Sequence, residues 1–173
     1  MPSESMAGMM AAAILSDTVM FKSPTCTERD RRMAERLARI ANVSLDELGK
    51  AIFAGSLGGK SAEELLFTDY KEFHIAGQDL AVVQITCTDS PKMLSRKAEF
   101  LELMYNKAAL NGFDMVILML TDVLLEGTQI IYVGSDEIIQ QAFGVTPKDN
   151  TAFLPKVMSR KKQIIPMLSA LWG

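Results

Sequence analysis

The sequence predicts an α/β fold, a mixed β-sheet flanked by helices, on three observations. Met115–Leu120 is a continuous apolar run with the length of a strand buried on both faces. Two β-rich runs, Lys71–Ile75 and Leu80–Thr86, flank Gly77-Gln78-Asp79, which reads as hairpin punctuation. Helical and strand-like segments alternate through the second half of the chain, the pattern of helices layered on a sheet.

Taken in order, Met6–Ala13 is an apolar helix or strand rich in Ala and Met. The whole apolar stretch Met6–Leu15 is too short to cross a bilayer. Met1–Ser5 carries Glu4 where a signal peptide would carry positive charge, so a core helix is the better reading. It runs into Ser16-Asp17-Thr18, and Phe21–Thr25 is a connector containing Pro24. Thr27 and Asp30 form an N-terminal cap pattern for a helix over Glu28–Ala41, with Met33, Leu37 and Ile40 as its apolar face. Arg29, Arg31, Arg32, Arg36 and Arg39 share the rest with Glu28, Asp30 and Glu35, a solvated surface. Ser44 and Glu47 form a capping box for a helix to about Ala54, ended by Gly55 and Gly58-Gly59. Gly58-Gly59-Lys60 is not a phosphate-binding loop, because the spacing is wrong and no strand precedes it. A short helix follows at Ser61–Leu66. Beyond the hairpin, Pro91–Leu110 reads as one long helix with Leu94, Ala98, Leu101 and Tyr105 on one face, stopped at Asn111-Gly112. Thr128–Val133 is a strand, Ser135–Phe143 a helix, Thr151–Leu154 a short strand, and Ser159–Leu171 the final helix.

The chain has 173 residues, 49% of them hydrophobic, enough for one full domain with a sizeable core. Its net charge of -3 argues against a general nucleic-acid partner, and no segment suits a membrane. Cys26 and Cys87 lie far apart without metal-like spacing, which fits reduced thiols in the cytoplasm. The 12 methionines read as core filling.

The chemistry concentrates near the end, at Ser159-Arg160-Lys161-Lys162-Gln163-Ile164-Ile165-Pro166. Three consecutive cations sit in an apolar segment, in what Ser159 and Pro166 mark as a first helical turn. Cations there oppose the helix dipole, so the cluster either faces water or meets an anion. From the residues alone the solvated helix end is the commoner outcome. Lys71 likewise reads as an exposed strand lysine, Asp17 as a cap or turn residue, Asp122 as a turn or cap residue at a strand end, and His74 as a half-exposed strand residue.

The wording of this segment resembles a signature of the family II inorganic pyrophosphatases, manganese-dependent members of the DHH phosphoesterase superfamily. Ile14-Leu15-Ser16-Asp17-Thr18, Phe21-Lys22-Ser23-Pro24-Thr25-Cys26-Thr27 and Asp69-Tyr70-Lys71-Glu72-Phe73 carry further matches in order, so the similarity covers nearly the whole chain. The resemblance implies a DHHA2-like sheet preceded by a remnant of the DHH domain: 1–25 the remnant, 26–60 a helical connector, and 61–173 the substrate-binding domain. It implies hydrolysis of pyrophosphate to two phosphates with manganese or cobalt and added magnesium. By the same resemblance Asp17 is a metal ligand, and Lys71, Arg160 and Lys161 bind substrate phosphate. Lys162 stands beside them, and Lys22 near a cleft between domains.

One departure matters. The family's His-x-Asp-x-Asp and Asp-His-His motifs are absent, and His74 is the only histidine. The expectation is a C-terminal piece that binds no metal tightly and is inactive alone. Its partners would be pyrophosphate or phosphate, an N-terminal DHH domain and a second copy in a homodimer. Met6–Leu15 would then leave apolar surface exposed. The alternative is a stand-alone phosphate- or pyrophosphate-binding module without catalysis; the Ser-Arg-Lys-Lys-Gln wording disfavours another DHH-type phosphohydrolase.

Overall fold

A computed structural model describes residues 1–55 and 59–173. The chain forms two compact units, Met1–Gly58 and Gly59–Gly173. The division at 25 and 60 implied by the resemblance differs from this. The segment read as a connector folds with the first helix, because the alanines of that helix pack on its neighbours.

The first unit is three helices, α1 (Glu4–Asp17), α2 (Glu28–Ala41) and α3 (Leu45–Gly55). Met6–Ala13 is thus helical, opened by the Ser3 side chain, which accepts from the Met6 N–H. Ala7, Ala11 and Leu15 recur at helical spacing, are buried, and pack with Leu37, Ile40, Leu45 and Leu48. The other side of α1 is apolar and open: Met6 is 53% exposed and Met9 67%. Thr27 and Asp30 make the reciprocal cap of α2. Its buried face is Ala34, Leu37 and Ala38, whereas Met33 is exposed. Leu37 and Ile40 pack inward as expected, but Met33 gives way to Ala34 and Ala38, because small residues win where two helices approach closely. α1 ends in a left-handed turn with positive φ at Val19, Met20 and Phe21. Thr18 ties it, its hydroxyl donating to Ile14 O and accepting from the Phe21 N–H. Ser44 caps α3 through the Glu47 N–H. Gly55 is the last residue of α3, and the stop read at Gly58 lies outside the described residues.

The second unit is a five-stranded sheet in the order β1 (Tyr70–Ile75), β2 (Gln78–Cys87), β3 (Met115–Asp122), β4 (Gly127–Val133), β5 (Thr151–Pro155). All neighbours are antiparallel except β2 and β3, which run parallel. The hairpin loop is Ala76-Gly77, both at positive φ, the two-residue turn whose twist matches the strands. The parallel pair requires a crossover, supplied by α5 (Ser90–Leu94) and α6 (Lys97–Asn111). β3 is central and buried at every position, as its uninterrupted apolar run demands. One sheet face packs Leu80, Val82, Ile117, Ile130 and Tyr132 against α7 (Asp136–Phe143) and α8 (Ile165–Trp172). The other lies under α6 and α4 (Ala62–Thr68), the latter capped by Ser61.

Two expectations are corrected. The long helix over Pro91–Leu110 is broken at Ser95-Arg96, so helical phase counted from Leu94 does not carry through. α6 buries Phe100 and Met104, while Ala98 and Tyr105 are exposed. The final helix opens as a π-helical turn, Arg160–Ile164, in which Ile165 N–H bonds to Arg160 O. Pro166 has no N–H for Lys162 O and its ring would crowd that carbonyl; the wider turn relieves this. Such turns recur at functional sites.

Candidate functional site

The π-turn is anchored by its own motif. Ser159 Oγ accepts from the Lys162 N–H, at 3.1 Å. Gln163 folds back, its Oε1 accepting from the Met158 and Ser159 N–H groups at 2.7 and 3.0 Å, and its Nε2 donating to Lys156 O. From the sheet, Gln84 Nε2 donates to Met158 O and Thr121 Oγ1, and the Thr128 hydroxyl donates to Val157 O. The segment leading into Arg160 is thereby fixed to β2 and β4, whose Gln84 and Thr128 are both bonded to Thr121 of β3.

Arg160 is only 6% exposed. Its Nη1 donates to Asp69 O at 2.9 Å and Val82 O at 3.0 Å, and its Nη2 to Asp69 Oδ1 at 2.7 Å. Asp69 O also accepts from the Gln84 N–H, which holds that carbonyl in place. A buried guanidinium needs such partners, since an unpaired charge inside a protein is costly. Two of these bonds take up the Nη1–Nη2 edge of the fork, and the third uses the remaining Nη1 proton. Nε–H and the second Nη2 proton meet no acceptor among the described residues, and no sealed-in polar side-chain atom there lacks a partner. Nε therefore keeps some access to solvent.

Lys71 pairs across the hairpin with Val82, the residue whose carbonyl holds Arg160. Strand alternation puts Lys71 on the same face as Phe73 and Ile75, which join the core beneath α7 and α8. Lys71 and Arg160 thus share one sheet face at the β1–β2 pair. Glu72 points the other way, where it accepts a hydrogen bond from the Tyr70 hydroxyl, so it does not neutralise Lys71. Lys161 follows Arg160 in the turn. Lys71 and Lys161 are both exposed, and neither side chain has a hydrogen bond or ion pair among the described residues.

Asp17, the exposed last residue of α1, and Lys22 belong to the other unit. His74 is exposed and pairs with Asp79 at 2.6 Å, so its role is local. Asp122 is buried and faces no opening. Its carboxylate accepts from Ser90, Leu124 and Leu125 N–H groups, joining α5 to the β3–β4 turn. Burial pushes its pKa up, but those donors outweigh burial and hold it below the usual carboxylate range. Cys87 lies beside it, and burial pushes that thiol up to about 12.

Reading the sequence missed Asp69, Gln84 and Gln163. Gln163 sits inside the motif, so attention to a polar residue amid apolar ones could have found it. Asp69 opens a matching segment, but nothing there points to Arg160, its partner 91 residues away.

The fold and the cluster define an α/β domain with a mixed sheet and a buried, charge-paired arginine beside exposed lysines. The chain belongs to the DHHA2 domain family, whose model matches residues 46–171. It is similar to a cobalt-dependent inorganic pyrophosphatase of Clostridium perfringens, 44% identical over 98% of this chain and 32% of that protein. A manganese-dependent inorganic pyrophosphatase of Methanocaldococcus jannaschii is 39% identical over 97% of this chain and 56% of that one. A crystal structure of a family II inorganic pyrophosphatase from Methanococcus jannaschii superposes with a TM-score of 0.85 at 35% identity, over 99% of this chain and 57% of that one. The chain therefore spans between a third and somewhat over half the length of these relatives. The Clostridium perfringens and Methanocaldococcus jannaschii proteins are named for cobalt and manganese. Among the described residues no three His, Cys, Asp or Glu side chains come together to hold such an ion, so the residues present here do not fit a dinuclear centre.

Proposed function

We propose that the Gly59–Gly173 unit is the substrate-holding part of an inorganic pyrophosphatase. In this reading Lys71, Arg160 and Lys161 grip the phosphates of pyrophosphate, and a metal, where one is used, would be held by residues outside this cluster. The supporting observation is Arg160 itself: a buried guanidinium fixed by three hydrogen bonds from its two Nη groups, with its Nε–H and second Nη2 proton meeting no acceptor among the described residues, on the face that Lys71 shares. A polyanion needs several cations at once, because one exposed ion pair contributes only about 0–1 kcal/mol. Fixing the arginine in advance removes the entropy cost of ordering it on binding. In the reaction these cations would offset charge building on the phosphoryl oxygens and the leaving phosphate. Asp17 is proposed as one ligand of a metal site whose other ligands are not brought together by the described residues.

The chain by itself is proposed to bind pyrophosphate or phosphate without turnover. With manganese and magnesium supplied, phosphate release should not exceed the buffer rate; turnover of about one per second or faster would refute this. Titration calorimetry tests the binding. Lys71→Ala and Lys161→Ala should each weaken pyrophosphate binding by roughly fivefold, and Arg160→Lys by roughly tenfold or more, through loss of the fork with the charge kept. Higher salt should weaken the wild type further. If the two exposed-lysine variants bind as tightly as wild type, the assignment is wrong.

A further inference from the structure

We propose that Asp69 is a positioning residue that turns Arg160 so that its Nε–Nη2 edge, and not its Nη1–Nη2 edge, meets the ligand phosphate; the inference rests on the reading of this cluster as the phosphate site.

The guanidinium has two edges that can hold an oxyanion through paired N–H bonds. Asp69 occupies one of them twice over, by its main-chain carbonyl on Nη1 and its carboxylate on Nη2. Val82 O takes the remaining Nη1 proton. Only the Nε–Nη2 edge keeps two donors without an acceptor among the described residues. Asp69 is itself well placed for the task. It terminates α4, its carbonyl is pinned by the Gln84 N–H, and its carboxylate is 47% exposed while the arginine side chain it holds is 7% exposed. A half-exposed acid contributes little to the fold by burial. Its geometry on a buried cation is what it supplies.

The two effects of this carboxylate on anion binding have opposite signs, which makes the inference decidable. As a negative charge beside the site it repels phosphate, so removing it should strengthen binding. As an anchor it holds the fork, so removing it should weaken binding. Asparagine separates the two, because its Oδ1 can still accept from Nη2 without the charge. The expected order is therefore Asp69→Asn equal to or up to severalfold tighter than wild type, and Asp69→Ala about tenfold weaker. A purely electrostatic role predicts both variants tighter.

The decisive experiment uses the full chain, labelled with nitrogen-15, and inorganic pyrophosphate as the probe. The Arg160 Nε–H cross-peak is assigned by its absence in Arg160→Lys. In the wild type and in Asp69→Asn it should move on titration and saturate with the affinity measured by calorimetry. A structural role alone would leave it unmoved by ligand. If pyrophosphate binds while this cross-peak stays fixed, or if Asp69→Ala binds tighter than wild type, the inference is overturned and the phosphate site survives. If wild type binds no pyrophosphate, the site reading fails and takes the inference with it. Should Asp69→Ala not fold, Asp69→Asn decides: binding at least as tight as wild type with the cross-peak still moving supports the inference, and binding about tenfold weaker, or a cross-peak that stays fixed, overturns it.

Discussion

Asp122→Asn exchanges one atom in the interior and should cost far more than its size suggests. Asp122 is 1% exposed. One carboxylate oxygen accepts from the Leu124 and Leu125 N–H groups, each at 3.0 Å, and the other from the Ser90 N–H at 2.8 Å. Asparagine can keep its carbonyl oxygen on the first pair only by turning its NH2 toward the Ser90 N–H, donor against donor. One buried N–H is then orphaned and two charge-assisted bonds become neutral, a loss of about 2–3 kcal/mol. For a unit of this size that corresponds to a melting temperature roughly 8–12 °C lower. The pH dependence follows from the direction of the shift. The folded carboxyl titrates below its ordinary value, so its contribution is fully present above the unfolded value of about 3.9 and is lost as pH falls through the folded one. The gap between wild type and variant should be constant from neutral pH down to about pH 4 and close below it. Thermal melts followed by circular dichroism across that range are the assay. A variant melting within about 2 °C of wild type at pH 7, or a gap that widens on acidification, would refute the reasoning.

Gln163→Ala removes the acceptor of the Met158 and Ser159 N–H groups and should destabilise by about 1–3 kcal/mol in urea unfolding, while also weakening pyrophosphate binding because the turn that carries Arg160 loosens. Cys87, buried and with its thiol pushed up to about 12, should resist alkylation in the folded chain at pH 8, whereas partly exposed Cys26 should label first; mass spectrometry of a time course decides, and prior labelling of Cys87 would contradict its burial.

Most of the architecture was legible because local signals agreed with tertiary ones. The apolar run of β3, the Gly77 hairpin and the Thr27–Asp30 cap each declare their element within a few residues. The failures are equally physical. The break at Ser95-Arg96 has no glycine or proline to mark it, so two helices read as one with the wrong face inward. On α2, burial of alanine in place of Met33 follows from close helix packing, which a hydrophobicity pattern does not encode. At the site, the residues themselves left Arg160, Lys161 and Lys71 as surface charges. Family resemblance singled them out, and the chain's geometry gives Arg160 and Lys71 a common face. The Asp69 anchor was illegible because a pair 91 residues apart leaves no trace in either neighbourhood.

The central proposal is that one pyrophosphate touches Lys71, Arg160 and Lys161 together. A crystal structure of the chain with pyrophosphate tests it most directly. The account predicts phosphate density in contact with Lys71 Nζ, Lys161 Nζ and the Nε–Nη2 edge of Arg160, each at about 2.7–3.2 Å. Pyrophosphate bound elsewhere, or bound to the lysines with Arg160 still making only its contacts to Asp69 and Val82, would contradict it.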